Sequence, residues 1–321
     1  MLGRRMRSLA ALLAAILAAG IAGCGGGAEP GASREATLVL DFQPNAVHAG
    51  IYSALRHGDY EAAGVSLEIR EPTESTDAPR LLEVGGAELA ILTAGDLGVA
   101  LERGLALRPV AEIVREPLGA VIAADRREIA EPRDLEGARV GVTGLPSDDA
   151  VLDAVLEAGG GDPAAVERVQ IGFESVAALA AGRLDAATGF WSAEGVALRR
   201  LGVPTREFRV SDHGGSYPEL LLVAAQRGDR ELAAAVVEAT ERGYRRLRED
   251  PERALDDLLA SVPGLDRAEQ QAQLEALLAA GAFGERIRRP NLDGWLEFAA
   301  RHGIVDTEAV RERLSEVGAG P

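Results

Sequence analysis

From Thr37 onward the chain alternates short apolar runs with stretches whose apolar positions recur every three or four residues. That alternation is the pattern of βα units built around mainly parallel sheets. The apolar runs predict strands over residues 37–42, 65–70, 88–92, 109–114 and 118–124, then over 139–142, 166–171, 186–190, 206–210 and 219–224. Helices are expected to begin near His48, Pro79, Asp96, Ser147, Ser175 and Ala193. His48, Ile51, Tyr52 and Leu55 fall at i, i+3, i+4 and i+7, one face of a helix, and Val151, Ala154, Val155 and Ala158 do the same. Residues 229–317 read as almost entirely helical, with Leu274, Leu277, Leu278 and Gly281 on one stripe and Trp295, Phe298 and Ala299 on another. Between the last two predicted strands lies a polar, Gly-rich loop from Ser211 to Tyr217.

Two βα series followed by a helical tail imply an α/β chain in two lobes. The first series and the tail (37–117 with 226–321) form lobe I, and the middle series (118–225) forms lobe II. The chain is expected to cross between them near Glu116–Leu118, where Pro117 disfavours continued helix, and again near Ala224–Gly228. Open α/β sheets bind ligands beyond the carboxyl ends of their strands, so the site is expected in the cleft between the lobes.

The residues before this pattern are of a different kind. Arg4, Arg5 and Arg7 precede an apolar run over 9–21 that is too short for a comfortable membrane span of ~20 residues. The run ends in Ile21-Ala22-Gly23-Cys24, which resembles a bacterial lipobox with cleavage before Cys24. Residues 1–23 are therefore expected to be a lipoprotein signal peptide. Cys24 is then the lipidation site, and the Gly-rich stretch 24–36 a flexible tether to the outer side of the cell membrane. Cys24 is the only cysteine, so an internal disulfide or a Cys-based metal site is excluded.

The charge sharpens on removal of the signal. The whole chain carries 34 basic and 51 acidic residues, a formal charge of −17. Residues 1–23 hold three Arg and no acid, leaving 31 against 51, or −20. So acidic a surface does not suit nucleic acid and does not attract small anions over distance.

Candidate chemistry concentrates in the turn after the first strand and in two later loops. Phe42 and Trp191 stand beside two strand ends in a chain with only 4% aromatic residues; each is a candidate platform for a flat ring, or a core filler. Glu194 offers a carboxylate to an exocyclic amine, or simply an acid to a helix first turn. His48 lies near a helix N-terminus, whose positive end favours a neutral imidazole able to face ligand or to serve the fold. Asn45 is either a ligand amide or an N-cap. Asp41 is expected to brace the turn, while Asp96 and Tyr217 lie on loops that the architecture brings to the cleft. Asp148 and Asp149 occupy the first turn of the helix opened by the loop 144–149, where they would repel an anion; capping by Ser147 also explains that loop. No nucleophile elbow, phosphate loop or H-E-x-x-H motif occurs, and His48, His57, His213 and His302 lack metal-ligand spacing.

Leu40-Asp41-Phe42-x-Pro44-Asn45-Ala46-x-His48-x-Gly50-Ile51-Tyr52, with Gly58-Asp59-Tyr60 and Ala63-Gly64-Val65 after it, resembles the substrate-binding proteins of ABC importers in the thiamin-pyrimidine-synthase-like superfamily. The likeness continues through Pro132-x-Asp134-Leu135-x-Gly137 and Gly160-Gly161-Asp162-Pro163 to Gly189-Phe190-Trp191-x-Ala193-Glu194. It implies a type II periplasmic-binding-protein fold with the ligand cleft between the lobes. It also implies a small aromatic heterocycle as ligand, first a thiamin pyrimidine precursor such as hydroxymethylpyrimidine or formylaminopyrimidine. Riboflavin, or the sulfonates and nitrate of more distant relatives, are the alternatives. ABC permease subunits are the implied partners of a monomer that needs no cofactor or metal and catalyses nothing. The same superfamily holds a pyrimidine synthase with a Cys-rich motif, which this chain lacks. Phe42 stands where relatives often carry Trp, and Ser192 where some carry Asn.

Overall fold

The computed structural model describes residues 33–74, 76–125 and 128–318. The signal peptide, Cys24 and most of the tether lie outside the described residues. Ten strands form two five-stranded sheets of the same design. In the first, β1 (Arg34–Val39) pairs in parallel with β2 (Val65–Arg70) and β3 (Leu89–Thr93). β4 (Leu107–Val114) closes its far edge. In the second sheet, β6 (Arg139–Val142) lies parallel to β7 (Glu167–Gln170) and β8 (Ala186–Phe190).

Each sheet also takes one antiparallel strand next to its third parallel one. β5 (Gly119–Ala124) enters the second sheet between β8 and β9 (Thr205–Arg209). β10 (Leu220–Ala225) enters the first between β3 and β4. β10 therefore belongs to the first sheet, and the return crossing precedes Leu220 instead of falling at Ala224–Gly228. The apolar run of β10 reads equally well as a strand of either sheet; the polar stretch before it is what spans the gap. β1 likewise ends at Val39, not Phe42, because the chain bends at Asp41–Pro44 before a short 3-10 turn at Ala46–His48.

Buried strands explain the near-continuous apolar runs: all six residues of β5 are buried, as are the first five of β10. Helices cover the sheets: α1 (Ala49–Arg56), α2 (Asp59–Ala62), α3 (Asp77–Val84) and α4 (Ala94–Glu102) beside the first sheet, and α5 (Pro146–Ala158), α6 (Ser175–Ala180) and α7 (Glu194–Arg200) beside the second. In α5 the buried face is Leu152, Ala154, Val155 and Leu156, with Ala158 exposed, so the face runs one step away from the expected stripe.

The tail comprises α8 (Arg230–Glu249), α9 (Pro251–Ser261), α10 (Arg267–Ala279), α11 (Asp293–His302) and α12 (Thr307–Glu316). The Asp229 side chain caps α8 by accepting from the amides of Glu231 and Leu232. α8 crosses α1 at glycines: a Cβ on Gly243 would lie 1.9 Å from the Gly50 carbonyl oxygen. There Tyr244 donates its hydroxyl to the Val47 carbonyl at 2.7 Å, fastening the tail to the turn at Ala46–His48. α11 reaches the second sheet's helices as well, through His302 Nδ1 and Glu157 Oε2 at 2.9 Å.

Candidate functional site

The carboxyl ends of β1, β3, β6 and β8 face one another across the gap between the sheets. Two adjoining cavities fill it, of about 100 and 60 Å³. Thr93, Ser147, Asp148, Gly189 and Phe190 line both. Five segments at this rim each contribute a carboxylate: Asp41 after β1, Asp96 in the first turn of α4, Asp148 in the first turn of α5, Glu194 at the start of α7, and Glu219 just before β10. Among the described residues, no basic side chain lines either cavity.

Each acid is held by donors. Asp148 Oδ2 accepts from the Thr143 amide at 2.7 Å and the Thr188 hydroxyl at 2.6 Å. Glu194 Oε2 accepts from the Phe190 amide at 2.9 Å. Glu219 Oε2 accepts from the amides of Leu118 (2.8 Å) and Gly119 (3.3 Å), so one side chain clasps the outgoing crossover from the returning one. Asp96 Oδ1 accepts from the Ser147 hydroxyl at 2.6 Å, a bond that spans the two lobes.

Burial and like charge act together on this cluster. Loss of water raises Glu194 to about 7, with Asp148 and Asp41 adding repulsion. Glu219 is likewise pushed up to about 7, first by burial and then by Asp96 and Asp41. Burial also raises Asp96 and Asp148. An acidic, water-poor cavity of this kind stabilises hydrogen-bond donors and positive charge and disfavours anions.

The apolar walls are phenyl rings. Phe42 from the first lobe meets Phe173 from the second edge to face, with centroids 4.8 Å apart at 85°. Phe190 borders both cavities. In the smaller cavity the Tyr217 ring packs against Phe298 at 5.3 Å, beside Trp295 of α11.

Of the residues singled out in the sequence, Phe42, Asp96, Glu194 and Tyr217 come together at the cavities. Three do not. Trp191 is buried in the core, donates its Nε1–H to the Pro117 carbonyl at 3.1 Å and carries the Arg209 guanidinium 4.2 Å above its ring. Strand alternation explains the substitution: in β8 and the residue after it, neighbours point oppositely, so Phe190 takes the wall and Trp191 braces the crossover. Asn45 accepts from the Val47 amide at 3.0 Å and donates to the Gln43 carbonyl at 3.0 Å, which leaves its side chain committed to the turn. His48 accepts at Nδ1 from the Asn45 amide (3.2 Å) and so donates from Nε2 to Asp41 Oδ1 (2.9 Å). It positions Asp41, and Asp41 is the group that reaches the cavity.

Ser147 does not cap its own helix, whose N-cap is Leu145 with no side-chain bond. Asp148, read in the sequence as an acid that would repel an anion, does line both cavities, whereas Phe173, Phe190 and Glu219 escaped notice. Glu219 does carry a readable signal, a lone charge abutting an entirely apolar strand.

Two α/β lobes of equal strand order, joined by two crossovers and lined at the carboxyl edges, define a type II periplasmic-binding-protein fold. The chain belongs to the family described as NMT1/THI5 like, whose profile matches residues 45–254. It is 32% identical over 264 residues to a formylaminopyrimidine-binding protein of Halalkalibacterium halodurans, spanning 79% of this chain and 78% of the other. A 4-amino-5-hydroxymethyl-2-methylpyrimidine phosphate synthase of Legionella pneumophila is 25% identical, over 71% and 74% of the two chains. In fold it is similar to the alkanesulfonate-binding protein SsuA of Xanthomonas axonopodis pv. citri, at TM-score 0.69 and 15% identity over 85% and 94% of the two chains.

Proposed function

We propose that the protein is the extracytoplasmic binding component of an ABC importer and captures a small, neutral or weakly cationic aromatic heterocycle. Its first candidate is a thiamin pyrimidine precursor of the formylaminopyrimidine or hydroxymethylpyrimidine type. One observation carries this reading: buried and half-buried carboxylates from both lobes converge on a phenyl-walled cavity that, among the described residues, no basic side chain lines. An aminopyrimidine presents an amine that donates to carboxylates, and its flat ring suits a cavity walled by the contacting pair Phe42 and Phe173 and by Phe190. Glu194, as a carboxyl that holds its proton near neutrality, also has a donor for a ring nitrogen. The likeness to a formylaminopyrimidine-binding protein supports the same ligand class.

A sulfonate or nitrate would meet a cluster of acids, so an anionic ligand does not suit this cavity. The cavity volumes also favour a single ring over a flavin, since pockets for drug-sized ligands run to ~300–1,000 Å³. The Ser147–Asp96 hydrogen bond holds the lobes together, and the ligand-bound pair is presented to the permease, whose ATPase supplies the energy. In this reading the protein works as a monomer, held at the outer membrane face by lipid on Cys24. It carries ligand unchanged: the sole cysteine, Cys24, leaves nothing for a Cys-rich catalytic motif.

The test is a thermal-shift panel on Ser33–Pro321 with hydroxymethylpyrimidine, formylaminopyrimidine, thiamin, riboflavin and taurine. The pyrimidines are expected to raise the melting temperature most. A response confined to taurine would overturn the proposal.

A further inference from the structure

A second cavity, of about 450 Å³, opens on the opposite side of lobe I from the cleft. It lies where β4 begins, whereas the crossover to the second sheet leaves from the other end of that strand. Arg108 of β4, Arg230 at the start of α8 and Arg289 of the segment after α10 all line it. Arg108 Nε and Nη2 are buried and have no hydrogen-bond partner among the described residues. Arg108 is half-buried, and two enclosed guanidinium nitrogens without a partner are costly, a deficit that an acceptor bound in the cavity would relieve.

The surroundings make the lack of partners more pointed. This chain has 51 acidic residues against 34 basic ones, and three neighbouring arginines find an acid: Arg288 pairs with Glu112 at 2.8 Å, Arg242 with Glu238 at 3.0 Å, and Arg248 with Glu241 at 2.9 Å. Those pairs consume the two glutamates that border the cavity. No ion pair to a described residue joins Arg108, Arg230 or Arg289. The two other arginines also lower the Arg108 guanidinium, after burial itself, as like charges crowded together must. The rest of the wall is apolar: Pro109, Val110, Ala233, Ala234, Val237 and Ile287.

The geometry points to a binding site for a phosphate group attached to an apolar body, with Arg108, Arg230 and Arg289 as its cationic cradle. Three unpaired forks match the charge and the planar, bidentate bonding of a phosphate dianion. The cavity is larger than inorganic phosphate needs, and its aliphatic wall accommodates what the phosphate carries. A soluble phosphomonoester and an anionic lipid headgroup share this chemistry. The site is separate from the heterocycle cleft and does not depend on that assignment.

The test uses the full-length chain and calorimetric titration with inorganic phosphate and phenyl phosphate, alongside co-sedimentation with phosphatidylglycerol or phosphatidylcholine vesicles. Phenyl phosphate is expected to bind more tightly than inorganic phosphate. Arg108→Gln and Arg289→Gln are each expected to weaken it at least about tenfold, equivalent to ~1.4 kcal/mol. Saturation by phenyl phosphate without vesicle binding assigns a soluble ligand; Arg108-dependent capture of phosphatidylglycerol vesicles assigns a headgroup. Arg108→Gln is also expected to melt no lower than the parent in phosphate-free buffer, because it removes a half-buried cation whose enclosed nitrogens have no partner. Absence of binding to all these probes at about 10 mM, or binding undiminished in both variants, would overturn the inference.

Discussion

At the residue scale, the site turns on which side chains lost water and which kept a structural partner. Glu194 illustrates the first. Replacing it with Gln keeps the shape and an acceptor for the Phe190 amide but, above neutrality where Glu194 is a carboxylate, removes the charged acceptor, a loss of ~1.5–3 kcal/mol where a ligand amine is the donor. Glu194→Gln is expected to weaken pyrimidine binding by about tenfold or more by calorimetry, while raising the melting temperature of the free protein. Phe190→Ala is expected to weaken binding as well. Trp191→Phe, which removes the bond to the Pro117 carbonyl, should leave a directly measured ligand affinity within about twofold and cost ~1 kcal/mol of stability in urea unfolding. The raised acids also set a pH dependence. Glu194 and Glu219 lie near 7 in the folded protein against an ordinary 4.5, so unfolding releases protons between those values and stability falls as pH rises through that window. The melting temperature is therefore expected to drop between about pH 5 and pH 7, and a Glu194→Gln, Glu219→Gln double variant to flatten that slope. Only part of this chemistry was legible in the sequence. Phe42, Asp96, Glu194 and Tyr217 stood out as polar or aromatic groups beside strand ends. Trp191 and Asn45 misled because a strand end does not reveal which of two adjacent residues faces the cavity, nor a turn whether its amide has been spent on its own backbone.

At the element scale, the sequence was far more explicit. Central strands read as apolar runs, the edge strand β2 as an alternation of apolar and polar residues, and helices as a three-to-four-residue period, so β2, β6 and β8 fall on the ranges expected. What composition could not decide was which sheet an apolar strand joins, and β10 crossed to the first sheet on that account. The crossovers are held by Glu219, whose carboxylate serves two backbone amides of the other strand. Glu219→Ala leaves both amides buried without an acceptor, and a loss of ~2 kcal/mol is expected in urea unfolding; Glu219→Gln, which retains an acceptor, should lose less. The helix starts α4 and α5 meet head to head across the cleft. A Cβ on Gly95 would lie 2.6 Å from that of Ser147, a distance that real side chains do not tolerate. Gly95→Ala is thus expected to wedge the lobes apart, lowering ligand affinity by about tenfold while leaving the melting temperature of the free protein nearly unchanged.

At the scale of the whole molecule, the two lobes act as one acidic trap. Their sheets share one strand order, their carboxyl edges face each other, and the cavity between them takes acids from each. The net charge of −17 repels anions at a distance, and the cavity repeats that selection at contact range. Family likeness in the turn from Leu40 to Tyr52 indicated the fold, but it did not show that the His48 of that turn works through Asp41. That distinction came only from packing, which brings residues from five separate loops to one place. The central claim is that this trap selects a donor-bearing heterocycle over an anion. Calorimetric titration of formylaminopyrimidine and of taurine into the same preparation at neutral pH tests it most directly. Saturable, one-to-one binding of formylaminopyrimidine at micromolar concentration or below is expected, with no measurable heat from taurine; saturable taurine binding with no response to formylaminopyrimidine would contradict this selection.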